Sequence, residues 1–342
     1  MIVDWFKLAT QNDYYARNDI FEEIFGETMK YILILFLFSV NIFAQEAEIL
    51  KKYQIDEQLN SEIEKIVHSL ELDKDFEVGE DGIEQISLAV VDLKYDKPRL
   101  GGYNYSNFIY PASVYKIYVA AEILNQISSG KYSLYKEYVV SPPNDVDKTK
   151  EILYDPRPLL ETGDTVTIGY LTDLMLTRSD NTAANCLIDI AKRENINEFI
   201  KQNMWAGSEV TRKFLSRKFE DPAYRDIRGT ETSALHAADF LRKMEVGNLV
   251  NPWVSMQMKS YLGRQLDTTK LSLGLPPGVM FYHKTGWWSF WTHDVGLVDD
   301  GETKYIIACF LPIKEENSKN VFAKLSSEIY SLMKKRDVQI ER

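Results

Sequence analysis

Ser113 and Lys116 stand three positions apart in Ser113-Val114-Tyr115-Lys116, after Pro111 and ahead of an apolar pattern of helical spacing (Ile117, Ala120, Ala121, Leu124, Ile127). Side chains so spaced share one face of a helix's first turn, so the amine can reach the hydroxyl proton and activate the oxygen as a nucleophile. The same pair recurs at Ser128/Lys131 and Ser331/Lys334, where both side chains read as solvated. Ser113 differs by its place at a helix start, where unpaired backbone N–H groups and the positive dipole end favour a developing oxyanion. Ser179-Asp180-Asn181 follows 66 residues later, directly before the helical text TAANCLIDIA. Alone it reads as a helix cap. Lys284-Thr285-Gly286 comes another 105 residues on and closes an apolar strand. Alone it reads as a polar strand end with a turn glycine. Together the three supply a nucleophile with its amine, a second hydroxyl and a side-chain amide.

The elements that must position these groups follow from periodicity. Ala47 to Leu70 repeats apolar residues at three and four positions and predicts a helix; Ile86 to Leu93 and Leu100 to Ile109, around the turn text KYDKPR, predict a strand hairpin. From about 130 to 270 the chain reads as helices and polar loops. Val279 to Thr285, Thr292 to Val298 and Lys304 to Leu311 predict three further strands, and Phe322, Leu325, Ile329 and Leu332 the stripe of a closing helix. Two strands alone leave an open edge, so all five are expected in one sheet. The fold class is α/β (α+β): a five-stranded antiparallel sheet flanked by helices, with an inserted all-helical subdomain. The sheet subdomain takes about 45–112 and 271–342 and the helical one about 113–270, with a cleft where they meet.

In the order SxxK, SDN, KTG, each at an element boundary, the chain resembles the serine penicillin-recognising superfamily and most closely the class A β-lactamases. The resemblance runs from about Ile86 to Lys335 and includes PASVYK, RSDNTAAN, LPPG and HKTG. It implies a β-lactamase/DD-peptidase-like fold with Ser113 as the acylated nucleophile and Lys116 as the group that takes its proton. Ser179 would link the nucleophile to Lys284 and pass a proton to the leaving nitrogen. Asn181 would bind the substrate's side-chain amide, and Lys284 with Thr285 its carboxylate. Gly286 would admit the ligand close to the strand, and the backbone N–H groups of Ser113 and Trp287 would form the oxyanion hole. The substrate implied is a small molecule, a β-lactam or a D-alanyl-D-alanine-like peptide, with no cofactor and no metal.

The resemblance breaks at two places. The ExxLN loop that carries the family's deacylation glutamate is missing, and the stretch VTRKFLSRKFEDPAYRDIRGTET holds Glu220 as the candidate base, with Asp221 behind it. Where small residues commonly line the cleft stand Trp287, Trp288, Phe290 and Trp291. Trp287 is expected to face substrate and the others to pack the hairpin, while His283 and His293 read as structural.

Composition sets the outer bounds. A chain of 342 residues with 45% hydrophobic and 27% charged residues must fold, and 40 basic against 51 acidic side chains give a net charge of −11, a sign that disfavours nucleic acid. Cys186 and Cys309 lie in no metal-ligand spacing and read as buried thiols. Tyr31 to Ala44, fourteen nearly apolar positions after Lys30, suit a signal peptide at 29–44 better than a spanning helix. Upstream, six acidic residues against Lys7 and Arg17 fit no basic leader, so translation is expected to start at Met29 and residues 1–28 to be untranslated. The expected product is a periplasmic or secreted hydrolase, occupying residues 45–342, without stable membrane association after cleavage. Two readings compete with a β-lactamase: a D-alanyl-D-alanine peptidase or other amidase or esterase of this fold, and a slowly deacylating penicillin-binding sensor module.

Overall fold

The computed structural model describes residues 44–147, 155–227 and 229–340, and Ile49 to the C-terminus forms one unit. The segments expected to precede the mature chain, 1–28 and 29–44, lie outside the described residues but for Ala44. The apolar pattern from Ala47 to Leu70 does not continue as one helix. A short strand β1 (Gln54–Ile55) interrupts it, and α1 (Glu57–Ser69) begins anew at Asp56, whose carboxylate accepts from the Leu59 N–H at 2.9 Å. Asp56 also receives Arg336 at 2.6 Å and Arg99 at 3.4 Å, so this N-cap is pinned to the rest of the sheet domain.

The chain then runs β2 (Ser87–Asp92), β3 (Arg99–Tyr103), a 3₁₀ turn (Ala112–Tyr115) and α2 (Lys116–Ser128). The helices α3 (Ile168–Thr177), α4 (Asn181–Ala191), α5 (Arg193–Gln202), α6 (Ala234–Glu245) and α7 (Pro252–Leu262) follow. The strands β4 (Met280–Trp288), β5 (Trp291–Asp299) and β6 (Lys304–Leu311) and the helix α8 (Glu315–Ile340) complete it. The sheet has six strands in the order β1-β3-β2-β6-β5-β4. Five are antiparallel, as expected; the sixth, β1, adds a parallel edge with Gln54 opposite Arg99. A two-residue strand is too short to show a period, so the sequence could not reveal it. The inserted block is likewise not all helical: Glu137–Val139 pairs with Thr165–Thr167, and Phe108–Ile109 with Thr232–Ser233.

The sheet is covered on both faces, which is why its central strands read as continuous apolar runs. On β2, Leu88 and Val90 pack with Leu59, Ile63 and Val67 of α1 and Phe322, Leu325 and Ile329 of α8. Ala89 and Val91 point the other way and join the core of the helical block. Cys309 belongs to the first core and Cys186 to the second, and both are free thiols. Burial pushes the Cys186 thiol up to about 12. Among the described residues no helix is long and apolar enough to cross a membrane, and no group of His, Cys, Asp and Glu could hold a metal ion.

Candidate active site

Three elements meet where the helical block joins the edge strand β4. The 3₁₀ turn carries Ser113 and feeds directly into α2, so Lys116 is the first residue of the α-helix. Ala112 before the nucleophile has φ 45°, a left-handed backbone that a non-glycine residue adopts only under constraint. Ser179 is likewise left-handed, with φ 59°. Asp180 is the N-cap of α4, accepting from the Ala183 N–H at 2.7 Å, and its other oxygen receives the buried Arg178 at 2.8 Å. The cap and the chemistry therefore divide within SDN: Asp180 holds the turn, while Ser179 and Asn181 face Lys116.

Lys116 and Lys284 are fully buried. The Lys116 ammonium donates to the Ser179 carbonyl at 2.7 Å, to Asn181 Oδ1 at 2.7 Å and to Ser179 Oγ at 3.2 Å. Lys284 donates to the same Ser179 Oγ at 2.9 Å and to the Thr285 carbonyl at 2.6 Å. Two amines from different elements thus occupy the two lone pairs of one hydroxyl, and the remaining hydrogen-bonding function of that hydroxyl is its own O–H donor. Thr285 is buried beside them.

Gly286 shows why the strand needs a glycine. A Cβ there would stand 2.9 Å from the Pro111 carbonyl oxygen and the Ser113 N–H nitrogen and 3.0 Å from that of Val114, all backbone atoms. The edge strand thus runs against the N–H groups of the nucleophile's turn, and no side chain fits between them. Trp287 is 52% exposed beyond that contact. Trp288 departs from the expectation of packing: it is 62% exposed, although its backbone pairs with Trp291 in the last rung of the hairpin. Trp291 does pack, edge-on to Tyr110 at 5.4 Å and to Phe290 at 6.3 Å. His293 is buried between the Tyr110 carbonyl (2.8 Å) and the Leu311 N–H (3.2 Å), and desolvation pushes its pKa down to about 3. His283 is paired with Asp294 at 2.8 Å. Neither ring touches Ser113 or Lys116 in these contacts.

Glu220 is tied into its own loop. Its Oε1 accepts from Arg193 at 2.9 Å and from the Asp221 N–H at 3.1 Å, and its Oε2 from the Lys213 N–H at 3.0 Å. Both oxygens are spent clamping the loop, and the ion pair with Arg193 is almost wholly buried. Glu220, expected as the base for a substrate water, is thus held by Arg193 and by the backbone of its own loop. Asp221 caps a short turn through the Ala223 N–H.

What lies over Lys116 is Phe214, whose ring centre is 4.1 Å from the Nζ. Phe214 stacks on Tyr115 at 5.1 Å, and the Tyr115 hydroxyl donates to the Arg212 carbonyl at 3.1 Å. Asn185 fixes the Phe214 backbone, its Oδ1 accepting from the Phe214 N–H at 2.8 Å and its Nδ2 donating to the Phe214 carbonyl at 3.4 Å. Sequence reasoning missed Phe214, Asn185 and Asp147. Asn185 stands four residues beyond Asn181 on the same helix face, a signal that was available. Phe214 and Asp147 reach the site from loops, where spacing carries no such signal.

The three motifs meet at the junction of a helical block and a sheet with five antiparallel strands, the arrangement of a serine hydrolase superfamily. The family model described as the beta-lactamase enzyme family matches residues 70–333, and the chain belongs to that family. No curated protein matches the sequence. Among solved structures the chain is similar to a point mutant of PBP-A in an acyl-enzyme complex with penicillin G, with TM-score 0.68 and 17% identity over 82% of this chain and 98% of that one. It is also similar to a β-lactamase from Sphaerobacter thermophilus, with TM-score 0.66 and 17% identity over 80% and 97%. An ancestral Gram-negative class A β-lactamase gives 0.64 and 19% over 80% and 99%. At these identities the likeness is one of fold.

Proposed function

We propose that this chain is an exported serine hydrolase, acylated on Ser113 by amides that carry a carboxylate, β-lactams or D-alanyl-D-alanine-like peptides, and that it releases the acyl group slowly. The observation that carries the reading is the shared hydroxyl: Lys116 and Lys284 both donate to Ser179 Oγ. In the forward step the Lys116 ammonium first gives up one proton to solvent, and the neutral amine takes the Ser113 proton as Oγ bonds to the carbonyl carbon. The resulting oxyanion lies against the backbone N–H groups of Ser113 and Trp287. The carbon–nitrogen bond then breaks, and Ser179 gives its proton to the leaving nitrogen and regains one through the lysines. Lys284 and Thr285 hold the substrate carboxylate as an ammonium and hydroxyl pair. Losing one donor of such an oxyanion site costs roughly 10² to 10³ in rate.

Slow release rests on Phe214. Deacylation needs a water whose proton is removed in the transition state, and a positioned base supplies about 10² to 10⁴ in rate. The ring over Lys116 is an apolar group where that water and its base would be needed, and Glu220 is committed to Arg193. This favours the peptidase-like or sensor-like readings over a fast β-lactamase. PBP-A, similar in fold, is described as an acyl-enzyme with penicillin G, which lends support to the same chemistry here. Export rests on the apolar run Tyr31 to Ala44 after Lys30, with cleavage near Gln45. The test is stopped flow with a chromogenic cephalosporin: one equivalent released in a burst, then slow turnover, is the expected trace. Sustained fast turnover would restore the β-lactamase, and no burst would remove the acyl-enzyme altogether.

A further inference from the structure

Asp147 is almost fully buried and lies on the loop that precedes α3. Its Oδ2 accepts from the Asn181 backbone N–H at 2.5 Å and its Oδ1 from the Asn181 Nδ2 at 3.0 Å. An asparagine amide is nearly symmetric in shape, so only its partners decide which end is oxygen. A carboxylate accepts and never donates; it therefore fixes Nδ2 on its own side and turns Oδ1 toward the Lys116 ammonium at 2.7 Å. The amide nitrogen carries two hydrogens, so the one not given to Asp147 is left for a ligand carbonyl. The loop itself is docked separately: Thr182 Oγ1 accepts from the Val146 N–H at 3.0 Å and the Asp147 N–H at 3.3 Å, and Asn185 Nδ2 donates to the Asn144 carbonyl at 3.3 Å.

From this juxtaposition we infer that Asp147 is a positioning residue that holds the Asn181 amide in the orientation needed to recognise an acylamido side chain on the substrate. The inference rests on acylation of Ser113 as proposed above. It separates recognition from chemistry: substrates with an amide beside the scissile carbonyl depend on Asp147, and substrates without one depend on it far less.

The experiment compares second-order acylation rate constants for benzylpenicillin, which carries the acylamido group, and 6-aminopenicillanic acid, which lacks it. In Asp147→Asn the new amide can present an N–H to the Asn181 donors, so the correct orientation is no longer enforced. The ratio of the two rate constants is expected to fall about tenfold, the scale of one lost hydrogen bond. Asp147→Ser keeps an acceptor near the helix terminus but cannot span both Asn181 groups, and should show the same fall if Asp147→Asn does not fold. Thr182→Val loosens the same loop without touching the Asn181 side chain, and should leave the ratio unchanged. Equal losses for both substrates in the Asp147 variants, or a fall of the ratio in Thr182→Val, would overturn the inference by making Asp147 a loop anchor only. Failure of the parent protein to acylate with either compound would overturn the proposed function, and this inference with it.

Discussion

Phe214 lays its ring 4.1 Å from the Nζ of Lys116, so the lysine that activates the nucleophile in the proposed cycle is roofed by an aromatic face. A cation gains from that contact, on the order of 0.5–2 kcal/mol. A hydrolytic water gains nothing from it. Replacing Phe214 with glutamate places a carboxylate on a backbone already fixed by Asn185. The expected outcome is faster release of the acyl group, by about 10² if the new carboxylate works as a positioned base. Single-turnover decay of the adduct measures it, and a decay rate equal to the parent's would show that Phe214 does not limit release.

Glu220 and Arg193 form a buried ion pair that closes the loop bearing Phe214. Glu220→Gln leaves the arginine charge buried without its counter-charge. Breaking one side of such a pair costs about 3–5 kcal/mol. A lowered midpoint in urea is expected, with the release rate of the acyl-enzyme within a few-fold of the parent's under conditions where the variant is folded. Accumulation of the adduct with unchanged stability would instead make Glu220 a base.

Lys284 serves in the proposed mechanism both as a proton relay through Ser179 and as a carboxylate anchor, and the two uses are separable. Lys284→Ala should slow acylation more for substrates bearing a carboxylate than for neutral esters of the same acyl group. Equal losses for the two classes would confine the lysine to Ser179.

His236 and His293 are both fully buried, and desolvation holds each near a pKa of about 3 against the ordinary 6.5. The unfolded chain therefore binds these protons first. The stability they contribute is complete above pH 6.5 and is lost as pH falls from 6.5 toward 3, at up to about 1.4 kcal/mol per pH unit for each ring. Urea midpoints measured from pH 7.5 to 4 should fall steadily below 6.5. A flat profile across that window would mean that the rings are protonated in the folded protein.

The sheet and the three motifs were legible because they rest on local rules. Strand β6, for instance, was bounded at Lys304 and Leu311 by the apolar run and the DDGE turn before it. Ser113, Ser179 and Lys284 were each marked by an element boundary. The errors arose where distant contacts override local pattern. The helix expected from Ala47 to Leu70 breaks because Asp56 is drawn to Arg336, 280 positions away. A lone glutamate in a polar loop likewise gives no sign that Arg193, 27 positions earlier on α5, holds Glu220. Phe214 carries no local signal, since its partners Tyr115 and Lys116 are brought to it only by the fold.

In the proposed cycle Ser113 is the residue acylated, with Ser179 between Lys116 and Lys284 completing the step. Intact mass of the protein after incubation with benzylpenicillin, followed by peptide mapping, decides whether it is. The expected result is a mass gain equal to one penicillin per chain, carried by the peptide containing Ser113 and lost in Ser113→Ala. A label on another peptide, or the same label in Ser113→Ala, would contradict it.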